Sequence, residues 1–139
     1  MIILDTNVLS ALMQETPDQT VVTWLDQQPR LSIWTTSITV LEVRFGIAIM
    51  AGGRRRSRLS AAFDGLIDEK LGGRVAVFDA VSAQEAAALM ATRRQYGRAG
   101  ELRDAMIAGI TLAHRAMLAT RNTRHFDDLS GSVVNPWKP

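Results

Sequence analysis

The chain begins with four apolar residues, Met1 to Leu4, and the run stops abruptly at an acid, Asp5. A short, unbroken apolar run is the pattern of a strand buried on both faces, which requires a parallel sheet covered by helices. Thr6 and Asn7 follow, and apolar residues resume at Val8 and Leu9. Two explanations of Asp5 compete here. Aspartate is a good helix N-cap, and a short helix over 7–13 would use it as one. A carboxylate fixed at the end of a buried strand also stands where open parallel sheets present their ligand-binding edge.

The rest of the chain alternates short apolar runs with longer helical patterns. Strands are predicted over 1–4, 31–35, 74–78, 117–119 and 133–134. Helices are predicted over 16–28, 37–50, 54–71, 82–96 and 101–115, with a short one near 123–129. Thr16, followed by Pro17 and Gln19, is the expected cap of the second helix. Ser37 is the expected cap of the third, and Ser82 with Glu85 forms a capping box for the fifth. The glycine pairs at 52–53 and 72–73 end the helices before them. Strand–helix alternation implies parallel pairing and a three-layer α/β sandwich. At 139 residues the chain is expected to form one domain over its whole length, 1–139. No GxGxxG follows a strand and no Walker pattern is present, so neither a dinucleotide nor an ATP site is expected.

Composition narrows the chemistry. There is no cysteine, which excludes disulfides and thiolate metal sites. The two histidines, His114 and His125, are too few for a histidine-rich centre. A metal would have to be held by oxygen ligands, which favours Mg²⁺, Mn²⁺ or Ca²⁺. No apolar run approaches the roughly 20 residues of a membrane span, and no basic leader precedes the first strand, so a cytoplasmic protein is expected. The net charge of +2 does not by itself argue for a nucleic-acid partner, but 14 of the 16 basic residues are arginine. The planar guanidinium fork suits phosphate, although codon bias would give the same excess. Arg54, Arg55, Arg56 and Arg58 are dense enough to set up a local field, or to serve as a solvated face or oligomer contact.

Two further acids stand out. In "SITVLEVRFGIA", Ile38, Leu41, Phe45 and Ile49 form one apolar stripe at helical spacing. Glu42 lies about 40° round from Ile38, at the margin of that face. An unpaired carboxylate there would be costly, so either a salt bridge, for instance to Arg44, or a function accounts for it. In "ELRDAMIAGITLAHR", Asp104 falls in the first turn of a helix, where the helix dipole favours a negative charge. Ala105, Ala108 and Gly109 would let that helix approach the sheet closely. Thr120 and Asn122 follow the fourth strand as Asp5 follows the first, whereas Asp127 and Asp128 read as surface or capping acids. Taken together, Asp5, Glu42 and Asp104 lie at strand ends or helix starts on one inferred face. Clustered carboxylates repel unless a cation offsets them, and Mg²⁺ uses few protein carboxylates while keeping several waters.

The segments "LDTNVLS", "ITVLEVRFGIA", "DAMIAG" and "LATRNT", with "NPW" near the C-terminus, resemble the PIN-domain ribonucleases. The likeness is to the VapC-type toxins of prokaryotic toxin–antitoxin pairs, and to the FitB branch among them. It spans essentially the whole chain in order. The resemblance implies a five-stranded parallel sheet of order 3-2-1-4-5 between helices, and Mg²⁺- or Mn²⁺-dependent endonucleolytic cleavage of RNA. It makes Asp5, Glu42 and Asp104 the metal-binding acids and places the Thr120 hydroxyl near the metal or its waters. Thr6 and Asn7 match the polar pair that shapes the end of the first strand. Where many members carry a fourth acid, this chain has Asn122, which adds no charge. The resemblance also implies a homodimer and a cognate antitoxin of ribbon-helix-helix type, through which the complex would sit on promoter DNA. Arg121, Arg124 and the segment Arg54, Arg55, Arg56 are the candidates for contact with the RNA backbone.

Three rivals remain on the residues alone. Haloacid-dehalogenase-type phosphatases also end a first strand in aspartate, but they need a second aspartate two residues on, where this chain has Asn7. A DNA flap nuclease would carry long insertions and additional acids that are absent here. A catalytically weak or inactive PIN module, acting only through antitoxin and promoter DNA, is compatible with Asn122.

Overall fold

The computed structural model describes residues 1–139. Strand β1 (Ile2–Leu4) leads into helix α1 (Thr6–Leu12), followed by α2 (Gln19–Asp26) and a single 3₁₀ turn before β2 (Ile33–Thr36). Next come α3 (Ser37–Ala48) and α4 (Arg54–Gly65), which runs on as a π-helical turn over Leu66–Lys70, and then β3 (Val75–Ala76). Helices α5 (Ala80–Gln95) and α6 (Leu102–Ala113) precede β4 (Met117–Ala119), a 3₁₀ turn (Thr123–Phe126) and β5 (Val133–Val134).

All strand pairs are parallel and the sheet order is β3-β2-β1-β4-β5. β1 is therefore central: Ile2 pairs with Ile33 of β2 on one side and with Met117 of β4 on the other. The chain winds one way from β1 to β2 and the other way to β4. The C-terminal end of β1 is consequently the switch point of the sheet, where the two connections diverge and leave a crevice. The backbone N–H of Asp5 donates to the Ala119 carbonyl (2.9 Å), so the ladder persists to the residue that opens the crevice.

The pleat sends alternate residues of β1 into two cores. Leu4 joins Val8, Leu9, Trp24, Val43 and Phe63 on one face, and Ile3 joins Ile107, Ile110, Leu118 and Phe126 on the other. Burial on both sides is why the opening run is apolar without alternation.

The three caps sit elsewhere than the sequence suggests. α2 is capped by Asp18, not Thr16; α3 by Thr36, whose hydroxyl accepts from the Thr39 N–H; and α5 by Asp79, whose carboxylate accepts from the Ser82 N–H. Ser37 Oγ instead accepts from the Phe78 N–H and ties α3 to the segment after β3. Each cap lies among several polar residues able to do the task, and the direction in which the chain leaves the preceding element selects one of them. The bond from the Ser82 N–H holds the exposed Asp79 carboxyl below its ordinary range. The third strand shrinks from 74–78 to Val75–Ala76, and the helix expected near 123–129 is the 3₁₀ turn Thr123–Phe126.

The stripe assigned to α3 also needs correcting. Leu41, Phe45 and Ile49 are exposed, and the buried side is Ile38, Thr39, Val43 and Ile47. A helix apolar nearly all the way round gives no unique face by periodicity. Of the small residues of α6, Ala108 packs in the core with Ile3 and Leu118 of the sheet, whereas Gly109 makes its close approach toward α5. A Cβ on Gly109 would stand 2.4 Å from the Ser82 carbonyl oxygen and 2.7 Å from the Ala86 Cβ.

Candidate functional site

Asp5 resolves its two explanations by serving both. Oδ1 accepts from the Thr6 N–H (2.8 Å), which caps α1. Oδ2 accepts from the Thr120 hydroxyl (2.7 Å) and from the Asn7 amide (3.3 Å). The Asn7 amide also donates to Thr120 Oγ1 (3.2 Å), and its Oδ1 accepts from the Arg121 N–H (3.1 Å). Thr120 Oγ1 accepts in addition from the Asn122 N–H (3.0 Å). The ends of β1 and β4 are thus stitched together by side chains, and the hydrogen-bonding capacity of the Thr120 hydroxyl is fully used.

Glu42 joins through α3. Its Oε1 accepts from the Thr6 hydroxyl (2.9 Å), while Thr6 Oγ1 lies 3.1 Å from Thr39 Oγ1, itself 3.3 Å from Thr36 Oγ1. The ionic partner expected in Arg44 is not found: Arg44 pairs with Asp64 and lies over the Phe63 ring. Arg103, one residue before Asp104, approaches Glu42 Oε2 at 3.8 Å instead.

Asp104 stands in the first turn of α6, as expected, with Oδ2 2.9 Å from His125 Nδ1. His125 escaped the sequence reading as a site residue. The available signal was its place after β4, on the same edge as Thr120, in a chain with only two histidines. The 21-residue separation from Asp104 offers none.

Burial pushes the Asp5 carboxyl above its ordinary value; bonds from the Thr120 hydroxyl and the Thr6 N–H pull it down, and the charges of Asp104 and Glu42 push it up again. The two charges that act most strongly on Asp5 are therefore both acidic. No three acidic or histidine side chains converge tightly enough to share an ion directly. The carboxylate donors among them are all oxygens.

Arg121 and Arg124 follow β4 at the same edge. The Arg121 guanidinium rests 4.9 Å over the Trp137 ring, and Arg124 lines a cavity with Asp104 and His125. Arg54, Arg55 and Arg56 open α4 elsewhere: Arg56 lines a shallow groove between α3 and α4, and neighbouring Arg58 is tied to the Met13 carbonyl and Glu15. No hydrogen bond or ion pair links this segment to the acids.

The turn carrying His125 is held by Arg93. Its guanidinium makes two bonds to Asp128 (2.8 and 2.9 Å) and one to the His125 carbonyl (2.9 Å), and its side chain is 7% exposed. Asp127 and Asp128 are thus counter-ions of Arg98 and Arg93 rather than caps. Arg93→Met is expected to cost about 3 kcal/mol in urea unfolding at neutral pH, because Asp128 loses both bonds from Arg93 and keeps only the longer contact with Arg98. The Arg93 bonds hold the Asp128 carboxyl below its ordinary value. The unfolded chain therefore takes up the proton first, and this stabilisation is lost as pH falls from about 4 toward the lowered native value. The difference between Arg93→Met and the unaltered chain should narrow over that range.

No helix is long and apolar enough to cross a membrane. The sheet edge with its three acids is the frame on which comparison with known proteins bears. A family model described as the PIN domain matches residues 2–131. The chain is 39% identical over 139 residues to the VapC ribonuclease Y4jK of Sinorhizobium fredii, covering 100% of this chain and 99% of that protein. It is 32% identical over 137 residues to the toxin FitB of Neisseria gonorrhoeae, covering 99% of each. A solved structure of FitAB bound to an IR36 DNA fragment matches with a TM-score of 0.89 at 32% identity, covering 100% of this chain and 97% of that one. Sequence and fold agree along the full length, and the chain belongs to the PIN-domain family, alongside proteins of the VapC and FitB type.

Proposed function

We propose that the chain is an Mg²⁺- or Mn²⁺-dependent endoribonuclease and the toxin of a toxin–antitoxin pair. The observation that carries this reading is the Asp5 carboxyl, buried at the switch point, with the acids Asp104 and Glu42 as the charges that act on it. An oxygen-only donor set of net negative charge fits a hard divalent ion. That the acids do not converge tightly fits an ion that retains most of its waters. Asp5, Asp104 and Glu42 would hold it. When bound, such an ion supplies an activated water and offsets charge developing on the phosphodiester.

The chain's own residues supply position. Thr120 and Asn7 fix Asp5 Oδ2, Thr6 orients Glu42, and His125 orients Asp104. Asn122 contributes its backbone N–H to Thr120, a function for which asparagine serves as well as aspartate. Arg121 and Arg124 would engage the RNA backbone beside the acids, with Arg54, Arg55 and Arg56 as a second basic stretch. The structure of FitAB on a DNA fragment supports a partner protein that brings the complex to DNA; an antitoxin of ribbon-helix-helix type, promoter DNA as the site and a homodimer of this chain complete the proposal.

Purified protein should cleave RNA in Mg²⁺ or Mn²⁺ and stop in EDTA. Asp104→Asn should lower the rate by about 10²–10³-fold, a few kcal/mol of transition-state stabilisation. The uncharged Asn122 favours one other reading, a PIN module that binds antitoxin and promoter DNA without cleaving. Absence of metal-dependent cleavage across structured RNAs, with antitoxin binding intact, would select it.

A further inference from the structure

Asp104 and His125 also form part of the wall of a cavity of about 510 Å³ between the α5–α6 loop and the turn after β4. Arg93, Arg98, Glu101 and Arg124 line it too. Most of these charges are already committed. Arg93 is bound to Asp128, Arg98 to Asp127 and Asp128, and Asp104 to His125. Two are left. Arg124 has no ion-pair partner, and Glu101, at the start of α6, has neither an ion pair nor a capping bond. A free cation and a free carboxylate thus line one cavity without neutralising each other.

A ligand that satisfies both must present an anionic group and a hydrogen-bond donor edge. One nucleotide of single-stranded RNA does so, with its phosphate and its base, and the cavity falls in the usual size range for a small-ligand site. The carboxylate then selects among bases. It offers two acceptor oxygens and no donor. Guanine presents two adjacent donors, N1–H and the N2 amino group. Adenine and cytosine place a ring acceptor beside their amino group, and uracil flanks its N3–H with two carbonyls. We propose that this cavity is a guanine-reading subsite for the nucleotide beside the cleaved bond, with Glu101 as the specificity-determining residue and Arg124 on the phosphate. The assignment rests on the nuclease reading above for its place next to the reacting bond.

The test is a titration of the full-length, metal-free protein with GMP, AMP, CMP, UMP and inorganic phosphate, followed through the backbone amide signals of Gly100 and Glu101. GMP is expected to bind about tenfold more tightly than the other nucleotides. Glu101→Gln should erase that preference while leaving nucleotide binding in place, and Arg124→Gln should weaken all four by a similar factor. Both side chains are exposed, and thermal unfolding of each variant confirms that the fold is kept. Equal binding of the four nucleotides, inorganic phosphate binding as tightly as GMP, or no nucleotide binding would each overturn the subsite. The two readings fail separately. A guanine preference in a protein that cleaves no RNA supports the subsite and removes the nuclease. Metal-dependent cleavage whose sequence choice is untouched by Glu101→Gln keeps the nuclease and removes the subsite.

Discussion

Asp5→Asn is expected to abolish RNA cleavage and, in the same protein, to raise the melting temperature of the metal-free chain. The two effects have one cause. Burial and the charges of Asp104 and Glu42 hold the Asp5 carboxyl above its ordinary value. The native state therefore binds the proton more tightly than the unfolded chain does. Stability is unaffected below about pH 4, falls as pH rises through the raised native value, and bears the full penalty above it. Asparagine carries no charge and keeps one acceptor, which serves the Thr6 N–H; its amide nitrogen cannot accept from the Thr120 hydroxyl, so the loss of that bond offsets part of the gain. At neutral pH the melting temperature should rise by a few degrees at most. Activity should drop about 10³-fold, as when a charge-stabilising element of several kcal/mol is removed. Mn²⁺ or Mg²⁺ should raise the melting temperature of the unaltered chain at pH 7, since a ligand selective for the native state stabilises it. The increment should vanish near pH 4, where the carboxyl is protonated, and should be absent in the variant. Differential scanning calorimetry at the two pH values decides it; an Asp5→Asn protein less stable than its parent at pH 7 would show that the Thr120 bond outweighs the charge.

Gly109→Ala should be among the most damaging single-methyl changes in the molecule, against the ordinary trend. In a helix interior alanine is favoured over glycine by about 1 kcal/mol. Here the added carbon would stand 2.4 Å from the Ser82 carbonyl oxygen, 2.7 Å from the Ala86 Cβ and 3.0 Å from the Ala86 nitrogen. Two of those three atoms are backbone, so no rotamer change relieves the overlap, and α5 as a whole must move off α6. Overpacking of this kind costs about 2–3 kcal/mol, roughly 10 °C in a chain of this size. Ala86→Gly in the same protein removes one clash and leaves the carbonyl contact, so it should restore only part of the loss. Urea unfolding of the single and double variants measures both.

The parts of the molecule that could be read from the sequence are those that depend on residue order alone. The opening apolar run, its end at Asp5, and Asp104 in a first helical turn all follow from local rules, and the strand–helix alternation dictates parallel pairing. The parts that could not be read are those where several residues meet the same local rule. Thr36 and Ser37 adjoin each other and either could cap α3; the path out of β2 chooses Thr36. Leu41, Phe45 and Ile49 are as apolar as Val43 and Ile47, so only tertiary packing says which side faces inward. Gly109 declares itself as a close approach but not the partner approached, because α5 is chosen by the crossover from β3. His125 and Arg103 become neighbours of Asp104 and Glu42 through the fold, with no spacing rule to announce them.

The row of hydroxyls from Thr36 through Thr39 and Thr6 to Glu42 has a direction. Each threonine owns one proton, and the Thr39 N–H already points at Thr36 Oγ1. With Glu42 as acceptor at the far end, every O–H must face the same way, and the small dipoles add. Replacing Thr39 by valine would therefore silence the row in the middle: Thr6 would still reach the glutamate, but nothing would polarise it from behind.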